Sequence, residues 1–180
     1  TGGYALAARR AMHEFHTGPE TWKRIAVGQR KWANLNPRAM MYDRLMADAD
    51  YDRSPWVVEP FRLADNCLLT DGGRACILTT RERARDLRHT PVTIMGLGMC
   101  NPAADPAPAR HLAGPTGARR AGEMALHMAG ITRDDIDACE IYDCFTYTVE
   151  ITLQDYGFFS AGDGKDWLQG GTIEPGGRMP

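Results

Sequence analysis

The chain has no long apolar run. Hydrophobic residues make up 43% of its 180 positions, but they fall in stretches of only a few. A membrane helix needs about 20 in succession, so no membrane span is expected. Neither sign of charge dominates: 21 Lys and Arg face 23 Asp and Glu, with a net charge of −2 and a pI of about 6.2. This balance excludes the basic footprint of a nucleic-acid binder. Cysteine is sparse, with five residues (Cys67, Cys76, Cys100, Cys139, Cys144) and no CxxC pair. That spacing argues against a structural zinc site and suits reduced thiols in the cytoplasm. Nothing repeats at a period of roughly 20–50 residues, so a solenoid or propeller is excluded. Residues 2–8 are rich in small residues, but the run is short and lacks the charged flank of a signal peptide.

What is present reads as alternating helices and strands. Tyr4, Ala8, Ala11 and Phe15 mark one face of a helix over residues 2–16. Thr17-Gly18-Pro19-Glu20 has the form of a capping box with proline in the first turn, opening a second helix that carries Trp22, Ile25, Ala26 and Ala33. That helix should stop before Asn36-Pro37. Residues 35–59 look irregular, with a short helix near 43–49. Strands are expected at 60–64, 74–80 and 91–98, with a helix near 81–88. Cys76-Ile77-Leu78 is apolar without alternation, as in a strand covered on both faces. Residues 101–115 are rich in Pro and read as a connector. A helix over 116–130 should turn Ala118, Ala121, Ala125 and Met128 inward and close on Gly130. Residues 160–180 are Gly-rich and loop-like.

The richest stretch is Glu140-Ile141-Tyr142-Asp143-Cys144-Phe145-Thr146. A buried strand over 138–142 breaks straight into a helix whose apolar face is Phe145, Val149, Leu153 and Tyr156. Such junctions lie at the carboxyl edge of a sheet, where open α/β folds build their sites. Tyr142 is then either a half-buried aromatic or a phenol near a helix start. A tyrosine titrates near about 10, so a proton relay through water or a second acid suits it better than a free phenolate. Asp143 reads equally as an N-cap or as a site residue. Cys144 is read as packing rather than as a nucleophile. His13 and His16, three apart, lack a third metal ligand and read as surface residues, and no metal is expected. Gly96-Leu97-Gly98 is too weak a signal for a nucleotide site, since no helix start follows it.

The pattern E-[IL]-x-[DE]-x-F at a strand–helix junction resembles the thiolase superfamily in its sterol-carrier and lipid-transfer branch. Ordinary thiolases have N-E-A-F and sterol-carrier thiolases H-D-C-F. The Tyr142-Asp143-Cys144-Phe145 form resembles the lipid-transfer-type aldolases of bacterial steroid side-chain degradation. Further stretches fit in order. Met12-His13-Glu14-Phe15 is similar to M-H-E-Y, and Ala33 with Asn36-Pro37 to A-x-x-N-P. Pro60-Phe61-Arg62-Leu63-Ala64-Asp65-Asn66-Cys67 and Asp71-Gly72-Gly73-Arg74-Ala75 resemble P-L-x-x-x-D-x-C followed by D-G-A-A-A. Ala129-Gly130-Ile131 and Asp134-Asp135-Ile136-Asp137 resemble A-G-[IL]-x-x-x-D-I-D.

The resemblance implies an α/β thiolase-like fold, layered α/β/α/β/α and incomplete in this chain. It implies a helical loop-domain segment at 1–59, the end of one thiolase half at 60–99, and the start of the other at 100–180. The chain is expected to be an internal piece of a longer protein. The implied activity is a carbon–carbon lyase reaction, the retro-aldol cleavage of a β-hydroxyacyl-CoA of steroid side-chain type. Two alternatives remain: a sterol-carrier-type acyltransferase, and a non-catalytic lipid-binding or scaffold subunit. Implied catalytic residues are Tyr142 and Asp143, with Cys67, Leu68 and Phe145 binding substrate. The first of these runs lies where the family lays the pantetheine arm of CoA. Backbone N–H groups near the helix start would hold the enolate oxygen. No cofactor is expected beyond CoA, which belongs to the substrate. The expected partner is an OB-fold, zinc-ribbon protein, around a homodimer within a heterotetramer.

Overall fold

The first two helices are built from small residues and aromatics. The computed structural model describes residues 1–101 and 112–180. Helix α1 (Gly2–Phe15) buries Ala5, Ala8 and Ala11, and its close apolar face lets aromatic rings approach. Its last turn bonds the His16 N–H to the Met12 carbonyl, with His16 at φ 56°. Helix α2 (Pro19–Ala33) starts at Gly18, with Pro19 preset for the first turn, and buries Trp22, Ile25 and Ala26. The expected capping box does not form. The Thr17 hydroxyl caps no backbone N–H and donates to the Glu150 carboxylate.

Helix α3 (Asp48–Arg53) lies a few residues beyond the short helix expected at 43–49. The Asp50 carboxylate accepts from the Ala47 N–H and fixes that start. Strands β1 (Trp56–Val58) and β2 (Phe61–Arg62) make a small antiparallel hairpin, and the expected strand at 60–64 passes after Arg62 into a single 3₁₀ turn, Leu63–Asp65.

The three other expected strands are not strands among the described residues. Segments 74–80, 91–98 and 138–142 find no paired neighbour there, and a strand exists only through its ladder. Ile77 and Val92 are 92% and 96% exposed, so their apolar character serves no packing within the described residues. Segment 91–98 is nevertheless anchored. A Cβ on Gly98 would lie 1.8 Å from the Ala121 carbonyl oxygen, and one on Gly96 2.1 Å from that of Ala125. These glycines let the chain lie directly on helix α5 (Gly117–Ala129), which follows a short α4 (Arg81–Arg85). Helix α5 is capped by Thr116 and closes on Gly130 at φ 69°, as expected. Met128 faces outward, against expectation, while Ala118, Ala121 and Ala125 are half-buried. Most of the expected 101–115 connector lies outside the described residues.

Helix α6 (Thr146–Asp155) is the organising element. It lies against α2 on one side and α5 on the other. One side joins a cluster of Trp22, Phe61, Phe145, Tyr147 and Ile151; the other joins Ile25, Val149, Leu153, Phe159 and Leu168. The rings of Phe61 and Phe145 stack at 5.0 Å, Tyr4 sits 4.6 Å from Phe145, and Trp22 meets Tyr147 edge-on at 6.1 Å. The last residues are not all loop: α7 (Gly164–Trp167) and a 3₁₀ turn, Gln169–Gly171, interrupt them. No helix among the described residues is long and apolar enough to cross a membrane.

Candidate active site

Polar groups buried on a helix need hydrogen-bond partners. Three such groups on α6 find them and so fix its position, while the buried Tyr147 hydroxyl has no partner among the described residues. At its first residue, the Thr146 hydroxyl donates to Asp65 Oδ1 at 2.7 Å. Asp65 is fully buried and also accepts from the Tyr51 hydroxyl (2.8 and 3.0 Å) and the Arg62 N–H (2.8 Å). Burial raises its carboxyl pKa, and the donors around it pull the other way. In mid-helix, Glu150 accepts from Trp22 Nε1 at 2.7 Å and from Thr17, and burial likewise raises its pKa. At the last residue, Asp155 accepts from the Thr116 N–H and hydroxyl at 2.6 and 2.7 Å.

This scaffold holds the turn that precedes α6. Asn66 and Phe145 form an antiparallel bridge, and the Cys67 N–H donates to the Cys144 carbonyl at 3.2 Å. The stretch Asn66-Cys67-Leu68 therefore runs beside Asp143-Cys144-Phe145. Between them and α2 opens a cleft of about 500 Å³, whose lining includes Arg30, Met46, Leu63, Cys67, Leu68 and Asp143. Asp143 also lines a second cleft of about 320 Å³, beside Glu140, Ile141 and Ile173.

The structure brings Cys67, Leu68 and Asp143 together on one cleft. Asp143 is not the N-cap of α6: that position is Phe145, and the helix starts at Thr146. Its carboxyl is half-buried, burial raises its pKa, and its own N–H partly offsets the shift. Tyr142 is 76% exposed at the same turn, with its phenol open to solvent. Phe145, the third residue expected to bind substrate, is 8% exposed, and its ring belongs to the aromatic core. Cys144 packs against that core, with Sγ 3.2 Å from the Thr148 hydroxyl. His13 and His16 join no metal-binding group: among the described residues, no three His, Cys, Asp or Glu side chains are placed to hold an ion.

Sequence reasoning missed the roles of Asp65, Tyr51, Thr146 and Glu150. Asp65 was visible as part of a motif, but its partners come from separate segments. Glu150 carried a signal of its own, a charge set directly between the apolar Val149 and Ile151.

With this geometry in place, comparison with known proteins shows what the chain is similar to. Residues 106–180 match the thiolase C-terminal domain-like family, and the chain has a thiolase-like fold. A solved Ltp2-ChsH2(DUF35) aldolase superposes with a TM-score of 0.89 at 35% identity, covering 99% of this chain and 48% of that one. The steroid side-chain-cleaving aldolase of Thermomonospora curvata is 37% identical over 98% of this chain and 46% of its own length. The 17-hydroxy-3-oxo-4-pregnene-20-carboxyl-CoA lyase of Mycobacterium tuberculosis is 34% identical over 98% of this chain and 47% of its own. The chain thus spans about half the length of the relatives it matches.

Proposed function

We propose that the protein containing this chain is a carbon–carbon lyase that cleaves a β-hydroxyacyl-CoA, of steroid side-chain type, by retro-aldol chemistry. The observation that carries this reading is the juxtaposition of Asp143 with Cys67-Leu68 at one cleft, with Tyr142 exposed at the adjoining turn. Similarity to two enzymes named for this kind of cleavage supports it.

The chemistry needs a group that takes the proton from the β-hydroxyl. The Cα–Cβ bond then breaks, leaving a carbonyl on the departing fragment and a thioester enolate, which is reprotonated to a shorter acyl-CoA. Tyr142, with its phenol open to solvent, handles the proton. Asp143 beside it, held partly out of water, is suited to the second proton transfer because burial favours its protonated form. Cys67 and Leu68 flank the thioester arm. The likeness to an aldolase that carries a DUF35 component supports a partner protein; we take that partner to be an OB-fold, zinc-ribbon protein, in a cytoplasmic dimer-based assembly.

The test is to purify the full-length protein with such a partner and supply a β-hydroxyacyl-CoA without free CoA. Release of a ketone and a shorter acyl-CoA supports the lyase. Cleavage of a 3-ketoacyl-CoA only when free CoA is added would point instead to an acyltransferase. Similarity to the acetyl-CoA acetyltransferase of Methanothermobacter thermautotrophicus, 29% identical over 98% of this chain and 46% of its own length, is the observation favouring that second reading.

A further inference from the structure

We propose that Cys67 and Cys144 form a dithiol site beside the cleft that Cys67 lines, which closes into a disulfide on reaction with a small disulfide such as oxidised glutathione. The pairing of the two segments carries this inference. Asn66 and Phe145 are bridged in antiparallel fashion, and the Cys67 N–H bonds the Cys144 carbonyl at 3.2 Å, so the two cysteines stand opposite one another. Residues opposite in a hydrogen-bonded antiparallel pair project to the same side, with Cα atoms about 5.5 Å apart. Disulfides span Cα separations of roughly 4.4–6.8 Å, so a pair in this register lies within bonding reach.

Their surroundings differ in a way that orders the steps. Cys67 is exposed and lines the cleft, whereas Cys144 is half-buried beside Thr148. The Cys67 thiolate attacks one sulfur of oxidised glutathione, forming a mixed disulfide and expelling one glutathione thiolate. Cys144, losing its proton to water, then attacks Cys67 Sγ and expels the second. Two protein thiols are oxidised, one glutathione disulfide is reduced to two thiols, and the two protons released are taken up by the leaving groups. The crosslink ties the cleft wall to the turn two residues from Tyr142. This inference goes beyond the lyase reading and is read without it.

The experiment incubates the full-length protein with oxidised glutathione, traps free thiols by alkylation, and maps peptides by mass spectrometry. The expected product is a Cys67–Cys144 linked peptide pair, with the protein lighter by two hydrogens and the change reversed by dithiothreitol. Cys144→Ser should stop at the glutathione adduct on Cys67, and Cys67→Ser should give no crosslink, both with unchanged circular dichroism. A wild-type protein that keeps glutathione on Cys67, or pairs Cys67 with Cys76 or Cys139, would overturn the proposal. The crosslinked form should lose at least about tenfold in turnover; undiminished turnover would overturn the placing of the pair at the reacting end. A reduced protein with no lyase activity that still forms the crosslink would count against the lyase reading alone.

Discussion

Replacing Asp65 with alanine should uncouple α6 from the loop that carries the cleft. Three donors converge on this carboxylate: the Tyr51 hydroxyl, the Thr146 hydroxyl and the Arg62 N–H. Each buried donor left without an acceptor costs about 1–3 kcal/mol. Removing a buried carboxylate also relieves its desolvation, the same effect that raises the Asp65 pKa, so the donor losses are partly offset. The expected net loss is about 3 kcal/mol. Asp65→Asn separates the hydrogen-bonding effect from that of charge. With its carbonyl toward Arg62 and Tyr51, an asparagine can still accept from both, and its amide can donate to a rotated Thr146 hydroxyl. That variant should cost only about 1 kcal/mol. Chemical denaturation of the full-length protein, compared at equal m-values, measures both. An alanine variant within about 1 kcal/mol of wild type, or an asparagine variant as damaging as alanine, would refute the network's role.

Two further outcomes concern the scaffold. His16 ends α1 at φ 56°, where a side chain is strained, so His16→Gly should stabilise by about 0.5–1 kcal/mol in thermal melts; a lower Tm would contradict this. Asp65, Asp143 and Glu150 all have raised carboxyl pKa values in the fold, each chiefly through burial. A raised acid binds its proton more tightly when folded. Its stabilising contribution is therefore complete below the unfolded pKa and lost as pH rises through the folded one. Asp50 and Asp135 shift downward and act oppositely, but they are surface groups and screened. The Tm should therefore rise as the pH is lowered from neutrality toward the unfolded carboxyl pKa of about 4. A steady fall over that range would show that these carboxyls are not desolvated as described.

The parts of the fold legible in sequence were those set by local rules. The two N-terminal helices, the Thr116-capped helix ending at Gly130, and the buried face of Phe145, Val149 and Leu153 all follow from periodicity and capping. Segments 74–80, 91–98 and 138–142 did not follow, because strand identity depends on a partner and apolarity alone cannot supply one. Caps failed where a tertiary demand was stronger: Thr17 serves Glu150, and Asp143 faces a cleft while Phe145 takes the cap position. The neighbourhood of Cys67, Leu68 and Asp143 was legible only through a family resemblance, since no local pattern shows that residues 66–68 lie beside 143–145. The anchors of that arrangement, Asp65 to Thr146 and Trp22 to Glu150, join residues far apart in sequence, and no spacing rule finds them.

The central claim is that the turn beginning at Tyr142 is the reacting end of the cleft. Its most direct test is the steady-state cleavage of a β-hydroxyacyl-CoA by the full-length protein and its partner, with Tyr142→Phe set against wild type. The phenol is open to solvent and bears no part of the core, so the variant should melt at the wild-type temperature. The account predicts that kcat falls by roughly 10²–10⁴-fold, the scale of a lost general acid–base group. Turnover within about twofold of wild type, in a variant that folds and binds its partner, would contradict it, since that falls far short of the loss such a group brings.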